Sequence, residues 1–211
     1  MRISLRQCPP TTALFTDYLE NWSRVESFYS LPYSLDSIER FARQRPPLDS
    51  DHRRRLCRAL SEQLANCGAV QKGVEKLDSG AVAVVTGQQP TLFTGPLFCI
   101  LKAISVIKLA AHLEKAGVRA VPVFWVAAED HDFEELESAW VINRSADLCR
   151  ITVDLSTGEP VPAAWLEFKE DVRDAVGRCL SSLPDSEFIP DLKTVLEDSY
   201  KPGVSPVTAF G

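Results

Sequence analysis

The stretch Val85-Thr-Gly-Gln-Gln-Pro-Thr-Leu-Phe-Thr-Gly-Pro96 decides the fold, because it joins an apolar strand to a long helix. Before it, Ala81–Val85 is a short continuous apolar run, as expected of a strand covered on both faces. Thr86-Gly87 is expected to end that strand, with Gly87 supplying backbone angles that a side chain forbids. Gln88 and Gln89 each bring both donors and acceptors. Gly95-Pro96 then opens a helix predicted over 96–116, with Pro96 in the first helical position and Gly117 as its stop. Leu97, Ile100, Leu101, Ile104 and Ala111 read as its buried face. A glycine turn leading into a helix N-terminus is a ready anion site. The glycine spacing is neither that of a Walker loop nor of a dinucleotide-binding turn, and an ordinary tight connection fits the loop equally well.

A second apolar strand, 121–127, runs into Glu129-Asp-His-Asp132. In open α/β sheets, ligands bind outside the carboxyl ends of the strands, and here the two ends offer amides, three carboxylates and an imidazole. Such crowding shifts pKa values and can supply a general base, an ammonium contact or a metal ligand. Asp130 serves equally as a helix N-cap, with Glu134 and Glu135 placed in the first turn by the helix dipole. No zinc-ligand spacing is present, so no metal is expected.

The loop 86–96, with Lys102-Ala-Ile-Ser105 and Pro122-Val-Phe-Trp-Val-Ala-Ala-Glu-Asp-His-Asp-Phe-Glu-Glu135, resembles the bacillithiol-synthesis cysteine ligase family, BshC. The Leu-Pro-Tyr-containing N-terminal region shares the resemblance, which therefore extends over the chain. It implies an α/β fold with a Rossmann-like parallel sheet, similar to class I aminoacyl-tRNA synthetases and nucleotidyltransferases. It also implies a carbon–nitrogen ligase that adds cysteine to glucosaminyl-malate with ATP. On that reading His131, Asp130 and Asp132 are catalytic. Gly87, Gln88, Gln89, Thr94, Gly95, Pro96, Lys102 and Glu129 bind substrate or nucleotide, Lys102 on condition that it faces the loop. Thr91 stands where the family pattern has glycine. Family members are more than twice as long, and Ser205-Pro206 reads as the cap and first-turn proline of a helix without a body. The chain is therefore expected to be a fragment, and its alternative reading is a catalytically incomplete ligand-binding or protein-interaction domain.

With 211 residues, 45% hydrophobic and 25% charged, the sequence suits one large or two small folded domains. Net charge is −6, and no basic stripe of the kind nucleic acid requires is present. Lys102, Lys108 and Lys115 interrupt the apolar helix, so no membrane span is expected there. The N-terminus lacks the apolar core of a signal peptide, and six scattered cysteines suit reduced, buried thiols in the cytoplasm. Partners are then small molecules, with a homodimer expected for the full-length protein. Residues 1–78 are expected to form a helical lead-in, with helices near 11–22, 34–45 and 51–66, the last ended by Gly68. Its Arg53, Arg54, Arg55 and Arg58 read as a solvated face opposite Leu56, Leu60 and Leu64. Residues 79–211 form the start of the Rossmann-like domain. Within it, 138–143 and 148–155 read as strands, and 165–182 and 187–200 as helices.

Overall fold

The computed structural model describes residues 4, 7, 11–64, 68–129, 133–159 and 161–211. The chain divides into two compact units: residues 1–84 with 109–121, and residues 85–108 with 122–211. The elements β1 (Val82–Gln88), α5 (Phe98–Lys115) and β2 (Ala120–Val126) each contribute to both units.

In the first unit, α1 (Ala13–Glu20) begins where the Thr12 hydroxyl accepts from the Phe15 N–H, and α2 (Leu35–Gln44) where Ser34 accepts from the Ser37 N–H. Tyr18, Trp22, Tyr29 and Tyr33 stack around the end of α1, with Tyr18 and Tyr29 centroids 4.7 Å apart. In α3 (Ser50–Gln63), capped by Asp49, the inward positions are Arg53, Cys57, Leu60 and Leu64, whereas Leu56 is exposed. The expected division of this helix is thus rotated, and Arg53 leaves the solvated face to donate to the Leu77 carbonyl at 3.3 Å. Gly68 does not end a helix here. It begins α4 (Gly68–Asp78), which the sequence reading missed. Gly73 of α4 faces Val121 of β2, where a Cβ would lie in ordinary contact at 3.4 Å.

The strands β1 and β2 are neighbours in a two-stranded parallel sheet joined by α5, as expected of a βαβ unit. The helix starts at Phe98, two residues beyond Pro96, and ends at Lys115, where Gly117 adopts φ +80. Its buried positions are Cys99, Val106, Ala110 and Leu113, whereas Leu97, Ile100, Leu101 and Ile104, the face expected to be buried, are exposed. The helix is apolar nearly all round, so periodicity could not choose between its faces.

The second unit holds a larger core. The strands β3 (Ser138–Ile142) and β4 (Leu148–Thr152) pair antiparallel in a sheet of their own, with Ala139 opposite Ile151 and Trp140 opposite Arg150. Ala139 and Ile151 face a cluster with Leu155, Phe168, Val172 and Val176, the last two on α7 (Asp171–Ser182). The predicted helix start at 165 is too early. Phe168 lies outside any helix and exchanges backbone hydrogen bonds with Val204 and Gly203, both at 2.9 Å. Leu196 of α8 (Ile189–Ser199) and Ala209 of α9 (Pro206–Phe210) complete the cluster. Ser205 caps α9 as expected, accepting from the Thr208 N–H at 3.1 Å. Among the described residues, no helix is long and apolar enough to cross a membrane.

Candidate functional site

The site is built on the segment that follows β1. Contrary to expectation, Thr86 and Gly87 do not end the strand, which continues to Gln88, whose carbonyl accepts from Ala127 at 3.0 Å. Gly87 is needed for space and not for its backbone angle. A Cβ there would lie 2.8 Å from the Trp125 carbonyl oxygen and 3.2 Å from Trp125 Cβ on the neighbouring strand.

After Gln89 the chain dives inward: Pro90, Thr91 and Leu92 are buried, and Thr91 is extended at φ −137. A single 3-10 turn, Leu92–Thr94, follows, in which Phe93 (φ 54) and Thr94 (φ 57) both occupy the left-handed region. Two such residues in succession, neither of them glycine, mark a strained turn that its surroundings must hold. Phe93 supplies the hold, its ring packing edge-on against Tyr200 at 4.9 Å. The Tyr200 hydroxyl is buried beside the Phe93 and Thr94 amides without forming a well-directed hydrogen bond. Burial pushes its pKa up to about 12, although those amides pull the other way. The Thr94 hydroxyl, expected to face a ligand, instead donates to the Phe93 carbonyl at 2.7 Å. Gly95 has φ −76 and closes the turn by donating to Leu92, and the Gly95–Pro96 bond is cis.

One turn into α5, Lys102 does face the loop. Its Nζ donates to Gln88 Oε1 at 2.7 Å and to the Gly87 carbonyl at 3.3 Å, and it lies 4.9 Å from the Phe98 ring centroid. The amide of Gln89 donates to Glu135 Oε2 at 2.7 Å, and that of Gln88 reaches the same oxygen at 3.5 Å. Glu135 sits on the short helix α6 (Phe133–Glu137), pinned by the buried Leu136. By sequence Glu135 is expected only as a first-turn acid of this helix. Nothing local pairs it with glutamines more than forty residues away, and the one available signal was that two loop amides needed acceptors.

Cys99, on the first turn of α5 beside this loop, is buried, as expected of its thiol. Burial raises its thiol pKa, while the nearby Lys102 ammonium and Thr91 hydroxyl lower it and Glu135 raises it. The protonated thiol is a poor nucleophile at neutral pH, so the group fits packing better than covalent chemistry. Glu129 is exposed beyond the end of β2. Asp130, His131 and Asp132 lie outside the described residues. Among the described residues, no group of three or more His, Cys, Asp or Glu side chains could hold a metal ion.

The arrangement is a short relay of alternating charge and amide, Lys102–Gln88–Glu135–Gln89, beside the N-terminus of an eighteen-residue helix. It offers donors to an oxyanion and, through Glu135, an acceptor to a cation. The sequence matches the family described as bacillithiol biosynthesis BshC, N-terminal Rossmann-like domain, over residues 1–211. A protein of Koribacter versatilis (strain Ellin345) named "Putative cysteine ligase BshC" is 34% identical over 99% of this chain and 39% of its own length. Proteins of the same name from Solibacter usitatus (strain Ellin6076) and Salinibacter ruber (strain DSM 13855 / M31) are 34% and 32% identical. They cover 96% and 93% of this chain, and 37% of their own length in each case. The chain thus spans about two fifths of the length of these relatives. By this match over its whole length, with the parallel βαβ unit in place, the chain belongs to the BshC family as its N-terminal Rossmann-like domain.

Proposed function

We propose that the protein serves bacillithiol biosynthesis as the nucleotide- and substrate-binding part of a carbon–nitrogen ligase joining the cysteine carboxyl group to the amine of glucosaminyl-malate. Family membership carries this reading, and the relay around Lys102 supports it. ATP is the proposed activator, supplying a leaving group that makes the carboxyl carbon reactive. The donors fit such a ligand, since an ammonium, two side-chain amides and a helix N-terminus all favour oxyanions. Glu135 holds the two amides, so an oxyanion reaching Gln88 and Gln89 takes the place of a carboxylate of like sign. Once released, Glu135 is suited to the ammonium group of cysteine, a role Glu129 can share.

In bond terms, nitrogen bonds to the acyl carbon, the acyl bond to the leaving group breaks, and the nitrogen gives up a proton. We assign His131 to that proton, because imidazole has an ordinary pKa near ~6.5 and serves as a base at neutral pH. Asp130 or Asp132 would then orient its ring. Positioning and charge stabilisation supply the remaining rate enhancement, as suits a site of amides and a helix end.

The test is to incubate the protein with cysteine, glucosaminyl-malate and ATP and to follow the cysteinyl amide by mass spectrometry. Binding of ATP and of cysteine is measured separately by calorimetry. Lys102→Met is expected to weaken ATP binding about tenfold, the worth of one charge-assisted contact. His131→Asn is expected to slow amide formation about a hundredfold while leaving nucleotide affinity in place. Folded protein that binds neither ligand overturns the reading, and turnover that survives His131→Asn removes that residue from the mechanism.

A further inference from the structure

A second polar cavity, sharing no residue with the relay around Lys102, lies within the first unit. Its volume is about 380 Å³, and its lining includes Arg43, Arg45, Arg53 and Arg119, with the backbone of Gly80 and Gly117, and no carboxylate. Four arginines lining one space need an account, because like charges repel. Arg43 is accounted for: it is bound to Glu39 at 2.8 Å and to the Ala116 carbonyl.

The other three are not. Arg53 donates one N–H to the Leu77 carbonyl at 3.3 Å, and Arg119 one N–H to the Ser79 hydroxyl at 3.2 Å, both neutral acceptors. Among the described residues neither is paired with a carboxylate, and the Arg45 side chain forms no hydrogen bond or ion pair, although its backbone N–H donates to the Phe41 carbonyl at 3.0 Å. Arg53 and Arg119 also converge. A Cβ built on Gly80 would lie 2.8 Å from Arg53 Nη1 and 3.4 Å from Arg119 Nη2. Gly80, at φ +97, therefore provides both a backbone angle that other residues avoid and the gap into which two cations point. Asp49 and Asp78 line an adjoining depression and not the cavity itself, and the Asp49 carboxylate is occupied as the cap of α3. Elsewhere on α3, Arg54 pairs with Asp51 and Arg58 with Glu62 at 2.9 Å.

We propose that this cavity binds a small multivalent oxyanion, a phosphate or pyrophosphate group, held by Arg45, Arg53 and Arg119. The chemistry selects the class. Planar guanidinium forks meet two oxygens at a time, and an anion with two or more charges and several acceptor oxygens satisfies three forks where one carboxylate satisfies one or two. The missing side chain at Gly80 lets the anion approach the backbone, and the anchoring bonds to Leu77 and Ser79 hold two of the forks in advance.

Calorimetric titration of the protein with sodium pyrophosphate, and separately with inorganic phosphate, tests this at low and at raised sodium chloride. The expected result is pyrophosphate binding that weakens with salt and falls at least about tenfold in Arg45→Gln/Arg119→Gln, the equivalent of one lost charge-assisted contact. The surface pair Arg54→Gln/Arg58→Gln should leave affinity within about twofold. If the first double variant fails to fold, as judged by circular dichroism, Arg45→Gln alone carries the test, because that side chain bonds to no described residue. Three results overturn the proposal: no binding by the unaltered protein, equal weakening by both double variants, or loss of binding in Lys102→Met while the arginine variants retain it. The last would assign the anion to the other site.

Discussion

Among the described residues, two pairs of strands hold together for different reasons. The hairpin β3–β4 is local, closed by a turn in which the Asn143 side chain accepts from the Ser145 and Asp147 amides. Its strands alternate strictly: Ala139 and Ile151 go into the core, while Trp140, Ile142 and Leu148 remain exposed. The pair β1–β2 is separated by α5, lacks that alternation, and leaves Val85 and Trp125 exposed. It depends on close backbone approach at Gly87. One pair is stabilised chiefly by side-chain burial and the other by the fit of main chain to main chain, and the candidate site grows from the second.

Truncating the hairpin's inward side chain should have the largest effect. Ile151→Ala removes a side chain that is 3% exposed in the main cluster, and about 3 kcal/mol of stability should be lost in urea unfolding. A loss below about 1 kcal/mol would show that burial does not hold this pair. Gly87→Ala tests the other pair, because the added methyl meets the Trp125 backbone, which cannot rotate aside. A loss of about 2 kcal/mol is expected from overpacking, with the circular dichroism of the rest intact. Unchanged stability would mean that the strands separate freely at this point.

Tyr200 links the strained loop to the core, so its titration sharpens the comparison. Its folded pKa, about 12, exceeds the ordinary 10.0. The buried phenol is therefore fully compatible with folding below pH 10, and stability is lost as pH rises from 10 toward 12. At about 1.4 kcal/mol per pKa unit, the full loss approaches about 3 kcal/mol. Tyr200→Phe should abolish that alkaline loss while changing stability at pH 7 by less than about 1 kcal/mol, since the hydroxyl forms no well-directed bond. Alkaline unfolding with the same slope in both proteins would refute it. At the hairpin turn, Ala146 has φ 64, so Ala146→Gly should stabilise by about 0.5–1 kcal/mol in thermal unfolding. The smallest stability change is expected from Glu135→Ala, within about 0.5 kcal/mol because the side chain is exposed. Its effect should appear in ligand affinity instead.

How far the residues could be read depended on how far apart the interacting groups lie. Helix starts at Thr12, Ser34 and Ser205 are written in the hydroxyl that caps them, and Gly117 marks the end of α5 by its φ of +80. The parallel pairing of β1 with β2 followed from two apolar runs separated by one long helix. The burial face of α5 could not be read, because an almost wholly apolar helix has no preferred side until its neighbours are present. Nor could the separate sheet of β3 and β4, since alternation shows that a strand is half buried and not which strand it joins.

The candidate site divides along the same line. Sequence alone determined that amides and glycines follow β1, that Lys102 falls one to two turns into the next helix, and which family the chain resembles. Only the tertiary structure brought Glu135 to Gln88 and Gln89, turned Thr94 onto its own neighbour, showed Gly87 to be a matter of clearance, and drew Arg53 and Arg119 together over Gly80. The three contacts between distant segments share one physical reason. Capping, turn angles and periodicity act within a few residues along the chain, whereas a hydrogen bond or a steric contact between distant segments exists only after packing has brought them to within a few ångströms.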